Sequence, residues 1–492
     1  MLWLGLYFPD LSVQIAAGMS ATLPTMPALA IQDGPAQRPQ VHAVNALARH
    51  SGVRCGMTIT AAQALNGDLR ILPRQPAAEA AAIVTLAAWA GQFTPAIVIE
   101  PAQGLLLEVA GSLTLFKGLT NLLGLLRRGL RALGYHAGCG VAPTARAAWL
   151  LAKANALGNR YRSCTQRIEL PACLAAVPLS CCEWPADTLN SLHALGITTV
   201  GQLRALPRAG LQRRFGADII QFMAQLFGEL PDPRPWYVAP DTYRVRHEFM
   251  QAVTQVEALL FTLKRLLLGL EGFLRARDAG VQQLRLAFTY DNRAQATSHL
   301  TIGLLAPQRE AARLLVLTRE HLERTPPHEP VLALGLEVDT LLPYQPLNHT
   351  LLPDTHQQAV DWRQLYERLQ ARLGADKLFI LQAGNDHRPE LATVLVAAHA
   401  PAQSTPRMPL HPLPRPCWLL PEPKPLVVRD AQPHYRGALT LCAGPERLET
   451  GWWDGQRVNR DYYRARNAAS ETVWIYREHR TPPAWFLHGV FA

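Results

Sequence analysis

Residues 1–18 read MLWLGLYFPDLSVQIAAG and residues 104–116 read GLLLEVAGSLTLF, and these two stretches decide how the first third of the chain folds. Leu2–Phe8 is an unbroken apolar run of strand length, the pattern of a strand buried on both faces. Asp10, just past Pro9, is placed to cap a helix that starts at Leu11. Leu105–Val109 is a second apolar run, joined through a turn at Pro101–Gly104 to a strand over Ile97–Glu100. Gly138–Val141 adds a short strand. Helical periodicity covers Ala77–Trp89, Leu119–Leu133 and Thr144 to about Ala156. Strands and helices interleaved in this way give an α+β unit with a small antiparallel or mixed sheet. The stretch from Met19 to about Pro73 is rich in Ala and Pro and reads as short helical pieces.

The chain has 492 residues, too many for one core at roughly 100–200 residues per domain. Its character changes along the way. Residues 170–236 are short helices with tight turns, and Leu195–Leu203 (LGITTVGQL) has the form of a helix-hairpin-helix. Residues 243–342 combine a long helix, about Val256–Arg277, with strands at Val281–Tyr290, Ser298–Leu304 and Leu332–Val338 and a helix at Gln308–Arg324. A polar, Pro-bounded tether follows, then a helix at about Val360–Leu373 and a strand at Leu378–Leu381. Residues 401–426 are dense in proline and should be extended. The last 65 or so residues alternate as β-hairpins, with Asp454-Gly455 as a turn dipeptide.

No basic residue precedes the first apolar run, as it would in a secretory leader, and no stretch of about 18 uncharged apolar residues occurs. A cytoplasmic address without membrane association is expected. The eight cysteines form no C-x-x-C pair, so a structural zinc site is not expected, and no cofactor is. Net charge is +10 and unevenly spread. Residues 1–165 carry thirteen basic and six acidic side chains, whereas 166–236 and 237–342 are balanced and 343–492 stand at +3. An excess confined to the first third suits a surface that faces phosphates.

Three segments carry a resemblance. Gly52–Met57 (GVRCGM) is similar to the fingers motif of the lesion-bypass (Y-family) DNA polymerases, and Leu107–Ser112 (LEVAGS) to the strand and turn that follow their catalytic carboxylates. Gly140-Val141-Ala142-Pro143, followed by Leu151-Ala152-Lys153, resembles their Gly-Ile-Ala…Ala-Lys. Order and spacing agree. Farther on, Gly444–Gly455 (GPERLETGWWDG), Arg460–Tyr463, Cys417–Pro423, Asp386–Glu390 and the ending Trp485–Phe491 resemble the ImuB family, catalytically inactive Y-family homologues. The resemblance implies a right-hand architecture: palm and fingers over 1–165 (fingers about 18–75), a thumb over 166–236, a little finger over 237–342, a tether over 343–356 and a β-rich partner-docking region over 357–492.

The same resemblance assigns site residues. The family's first strand supplies Asp-x-Asp, and alignment on Val13-Gln14 puts Gly5 and Tyr7 at those positions. Its second carboxylate pair falls on Gln103 and Gly104. Hard divalent cations need anionic oxygens, so the chain is expected to bind no metal there and to be no enzyme. The tyrosine of the triphosphate clamp falls on Ala46, while Arg49 and Lys153 persist as vestigial phosphate contacts. An active lesion-bypass polymerase with a displaced metal site at Asp10, Glu100 or Glu108 is the alternative. Gly196 and Gly201 of the hairpin are expected to bring backbone N–H groups to DNA phosphates, with arginines of 237–342 gripping the duplex without regard to sequence. A degenerate clamp motif at Asn348, Leu351 and Leu352 implies weak sliding-clamp binding. The other implied partners are the RecA-like ImuA and an error-prone C-family DNA polymerase.

Overall fold

The computed structural model describes residues 1–18, 27–35, 37–101, 103–158, 162–290, 297–344, 355–374, 377–397, 414–480 and 482–491. The chain divides into two compact units, Met1–Arg372 and Leu373–Ala492.

The first unit begins with β1 (Trp3–Tyr7) and α1 (Leu11–Gly18). Next come β2 (Leu29–Asp33), β3 (Gln40–Val44), α2 (Ala46–His50), α3 (Ile59–Leu65) and β4 (Arg70–Pro73), then α4 (Pro76–Ala90), β5 (Ile97–Glu100), β6 (Gly104–Glu108), α5 (Leu119–Ala132), β7 (Gly138–Ala142) and α6 (Ala145–Ala156). The central sheet runs β5-β6-β1-β7, antiparallel throughout, with Tyr7 opposite Gly104 on one side and Gly138 on the other. Side-chain alternation along β1 then assigns its two faces. Leu4, Leu6 and Phe8 pack against α4 and α5 (Leu86, Trp89, Leu122, Leu126), while Trp3 and Tyr7 lie with α6 and the helices beyond it. Both faces are covered, so the strand is apolar without interruption. The fingers region contains the expected short helical pieces, α2 and α3, and in addition strands that were not expected. Its backbone forms a three-stranded sheet, β3-β2-β4, because Leu29–Ile31 and Val41–Val44 pack on α1–α3. Five-residue strands with few β-branched residues in an Ala-rich stretch left little periodic signal.

Helices α7 (Leu170–Leu174), α8 (Ala186–Ala194), α9 (Val200–Arg204), α10 (Arg208–Phe215) and α11 (Ala217–Leu226) make the thumb-like bundle. It shares one core with α6 through Trp149, Leu150, Leu174, Leu192 and Leu203. A strap then follows the palm edge: the Tyr237 N–H donates to the Ile97 carbonyl (2.7 Å), and Trp236 stacks on Trp3 at 5.7 Å.

Next are β8 (Tyr243–Val253), α12 (Val256–Arg275), β9 (Ala279–Tyr290), β10 (Thr297–Gln308), α13 (Ala311–Arg324), β11 (Val331–Val338) and the two-residue β12 (Leu342–Pro343). The antiparallel sheet β10-β9-β11-β8 carries α12 and α13 on one face over a core of Phe273, Leu286, Phe288, Leu314 and Leu336. Edge strand β8 was not legible in the sequence. Its exposed positions are charged (Arg244, Arg246, Glu248), and Tyr243, Val245, His247 and Phe249 alternate with them on the inward side. Helix α14 (Thr355–Leu373) reaches this domain through Arg368–Glu320 (3.6 Å) and Glu367, which accepts from the Leu305 N–H (2.8 Å).

The second unit holds the hairpin β13 (Phe379–Ala383) with β14 (Thr393–Ala397), then β15 (Trp418–Pro425), β16 (Val427–Arg429), β17 (Gln432–His434), β18 (Thr440–Thr450), β19 (Val458–Arg466), β20 (Thr472–Glu478) and β21 (Ala484–Val490). Five of these form an antiparallel sheet, β15-β21-β20-β19-β18. Tyr462, Trp474, Tyr476 and His488 stack at its centre. Arg388 is almost wholly buried and donates to Asp386, Asp454 and the Gln456 carbonyl, which braces the β18–β19 turn at Asp454-Gly455. That turn leaves Trp452 and Trp453 exposed, whereas Tyr462 is core and Tyr463 and Trp485 pack partly buried against it. The prolines at 421, 423 and 425 do not prevent β15, because it lies at the sheet edge, where a missing N–H is tolerated.

Candidate functional site

Tyr7, Gln103 and Gly104 come together at the end of the central sheet. Tyr7 and Gly104 are register partners, and the Phe8 N–H donates to the Gln103 carbonyl (3.0 Å). Gly5 lies two register pairs deeper, opposite Leu106 and Gly140. The space above these positions is filled. A Cβ on Gly5 would stand 2.5 Å from the Ala148 carbonyl oxygen, and one on Gly104 would stand 2.2 Å from the Trp149 ring and 2.4 Å from the Leu6 carbonyl. Helix α6 therefore lies directly on the strands, with Trp149 edge-on to Tyr7 at 5.4 Å. Trp149 is nearly buried, and no sequence motif pointed to it.

Gln103 sits in the left-handed region (φ 69°), and its amide donates to Glu79 (3.3 Å). Glu79 is itself buried, and Arg74 (2.8 Å) and Ser12 donate to it. Burial opposes the charge on Glu79, but the bonds from Arg74 and Ser12 outweigh it and hold the pKa below the usual carboxylate value. Arg74 also reaches Asp33 (2.9 Å), so the cluster ties fingers to palm.

Of the two cations expected to contact phosphate, Lys153 donates to Glu183 of the thumb at 2.8 Å, and Arg49 to Asp10 at 3.3 Å. The Asp10 carboxylate is thus directed to Arg49. Ala46 opens helix α2, whose Asn45 cap accepts from the Ala48 N–H (2.9 Å). The Tyr7 phenol lies among these groups: burial first, then the charges of Glu183, Cys181 and Asp10, raise its pKa. The remaining palm carboxylates are engaged too. Glu108 accepts from the Leu2 N–H (2.9 Å), and Glu100 from Arg234. Among the described residues no group of three or more His, Cys, Asp or Glu side chains could hold a metal ion.

The hairpin glycines need correcting. Gly196 has φ 77° and makes the turn, but its N–H donates to the His193 carbonyl (2.9 Å). The Gly201 N–H donates to the Ala175 carbonyl (3.1 Å), and a Cβ there would stand 2.7 Å from that oxygen. Gly201 is thus a packing glycine between helices. The amides at the hairpin surface are those of Thr198 and Thr199, both held by the Gln202 side chain (2.8 and 3.2 Å). The little-finger arginines also differ from the expectation. On the helix-free face of that sheet Arg244 is paired with Asp339 (2.8 Å), Arg285 with Glu337 and Asp339, and Arg246 with Glu248 (3.5 Å), which leaves the face near electroneutrality. The clamp-motif residues Asn348, Leu351 and Leu352 lie outside the described residues.

Residues 6–153 match the impB/mucB/samB family. Protein ImuB of Caulobacter vibrioides, in two strains, is 28% identical over 465 residues, covering 89% of this chain and all of the relative. Among solved structures, an insertion ternary complex of Dbh DNA polymerase (TM-score 0.40, 14% identity) covers 70% of this chain and 99% of its own. DinB from Sulfolobus solfataricus (TM-score 0.38, 14% identity) covers 69% and 98%. The chain thus has a first region that matches the impB/mucB/samB family, followed by a helical bundle, a small α+β domain and a β-rich module. Beyond the palm, the likeness to protein ImuB extends over the relative's whole length. No helix among the described residues is long and apolar enough to cross a membrane.

Proposed function

We propose that the chain is a non-polymerising, DNA-binding scaffold of damage-induced translesion synthesis. It holds DNA through the palm-and-fingers (1–165), thumb (166–236) and little-finger (237–342) regions and docks partners through 357–492. One observation carries the reading: at Gly5 and Gly104, where with Tyr7 and Gln103 the resemblance puts the catalytic carboxylates, the space a carboxylate would need is taken by α6 backbone and the Trp149 ring. Two-metal phosphoryl transfer needs several anionic oxygens converging on two cations. The nearby carboxylates Asp10, Glu79 and Glu183 are each bonded to an arginine or lysine instead. That also weighs against a polymerase with a displaced metal site.

The basic excess of residues 1–165 supports electrostatic, sequence-blind DNA binding, and the neutral little-finger face shifts its weight to that region. By family, the partners are the sliding clamp (weakly, through Asn348, Leu351 and Leu352), ImuA and an error-prone C-family polymerase, in the cytoplasm. Fluorescence anisotropy with primer–template DNA should give a Kd that rises steeply with salt, about 10³-fold between 50 and 200 mM if roughly six phosphates are engaged. Removal of 373–492, which keeps helix α14 on the first unit, should leave that curve in place and abolish pull-down of ImuA and the polymerase. Salt-independent binding would remove the DNA reading, and an undiminished pull-down the docking one.

A further inference from the structure

Three subdomains meet around the Tyr7 phenol, and their charges alternate: Arg49 from the fingers, Asp10 from the palm, Glu183 from the thumb and Lys153 from α6. The Lys153–Glu183 contact is the tighter and the more buried. Its N–O distance is 2.8 Å, the lysine side chain keeps only 12% of its exposure, and the ammonium stands 5.7 Å from the centre of the Tyr7 ring. Glu183 ends the turn Leu179–Cys182 in the left-handed conformation (φ 58°), which side-chain-bearing residues seldom adopt. Backbone held in such a conformation points to a position the surrounding structure fixes, commonly at a functional site.

We propose that Glu183 is a specificity-determining residue: its carboxylate occupies the anion subsite of Lys153 and so bars phosphate-bearing ligands, nucleoside triphosphates above all, from the palm. This rests on the reading of Lys153 as a remnant phosphate contact. An ammonium shielded from water and already paired gains little from a second anion. A triphosphate would have to displace Glu183 and then lie within reach of two carboxylates, Glu183 and Asp10, in partly desolvated surroundings where like charges repel strongly. Asp10 does the same for Arg49 at 3.3 Å, less completely because the contact is longer and the Arg49 side chain is far more exposed than that of Lys153. The palm thus lacks its metal ligands and has its phosphate cations occupied from within.

The test is isothermal titration of the full-length protein at low salt, without divalent cations, using dATP and, separately, inorganic pyrophosphate. Wild type should show no saturable binding up to about 1 mM. Glu183→Gln keeps the side-chain shape and should bind both probes at least about tenfold more tightly. Lys153→Gln added to Glu183→Gln should remove that gain. Glu183→Ala, checked by thermal melting and by unchanged primer–template affinity, guards against a folding artefact. Wild-type binding within about threefold of Glu183→Gln, or a silent Glu183→Gln, overturns the inference. A silent variant that still binds primer–template DNA sinks this inference and leaves the scaffold reading standing. Nucleotide incorporation by wild type would sink the scaffold reading instead.

Discussion

Restoring a carboxylate to the first strand, as Gly5→Asp, should damage the fold before it can help catalysis. A Cβ at Gly5 would meet the Ala148 carbonyl oxygen at 2.5 Å, the Ala148 carbonyl carbon at 2.8 Å and the Trp149 amide nitrogen at 3.1 Å. All three are backbone atoms in the middle of α6, so no side chain can swing aside. The helix must move off the strand, and its contacts through Trp149, Leu150 and Leu151 with the thumb core loosen with it. Overpacking of this kind costs about 1–3 kcal/mol, which is the expectation for Gly5→Ala. Asp adds a carboxylate among buried apolar side chains and no donor in place, worth roughly another 1–3 kcal/mol. At about 2–4 °C per kcal/mol, Gly5→Ala should lower Tm by a few degrees and Gly5→Asp by about twice as much. Scanning calorimetry of the full chain measures this, with Gly111→Ala as the control, since nothing lies within 4 Å of a Cβ there. If Gly5→Asp melts with wild type, the palm is not closed over this position and the reasoning is wrong.

Other perturbations probe the remaining layers. Glu79→Ala leaves Arg74 with Asp33 alone and removes the acceptor of Ser12 and Gln103, so it should destabilise by about 1–3 kcal/mol; Asp68→Ala, at an exposed position, should not. A melt of Glu79→Ala within 1 °C of wild type would contradict the cluster's role. His488 is buried in the second unit, and burial pulls its pKa down to about 4. Because the folded-state pKa is below the unfolded value near 6.5, the imidazole contributes no penalty above that pH, and stability should fall as pH drops from about 6.5 to 4. Hydrogen exchange of β19–β21 amides should accelerate over that window, and His488→Gln should flatten the dependence; a flat wild-type profile would count against it.

How much of this was legible beforehand follows from where the signal sits. Strand β1, the β5–β6 pair, and helices α4, α5, α6 and α12 announced themselves because long apolar runs or 3.6-residue periodicity reflect one-sided or full burial. The fingers sheet and edge strand β8 did not: the first is made of strands of only four or five residues with mixed side chains, and the second shows alternating charge on a face the sequence cannot place. Family spacing brought Tyr7, Gln103 and Gly104 to one point, and the register agrees with that convergence. What fills the point was invisible. Trp149, Glu79 and Glu183 lie far apart in sequence, and only the packing of α6, the Arg74 cluster and the thumb turn brings them to Tyr7, Gln103 and Gly104. Gly201 looked like a phosphate-approach glycine because spacing records that a side chain is missing but not the reason.

Primer extension tests the central claim most directly. Purified full-length protein would be assayed with Mg²⁺ and with Mn²⁺, on undamaged and damaged templates, beside a catalytically competent Y-family polymerase. On the proposed reading Gly5, Tyr7, Gln103 and Gly104 stand at the carboxylate positions, Trp149 packs over Gly104, and among the described residues no group of three or more acidic, His or Cys side chains could hold a cation. No incorporation should appear under any condition, while the same preparation binds the primer–template. Extension that survives rigorous purification and disappears in Asp10→Ala or Glu108→Ala would contradict the account.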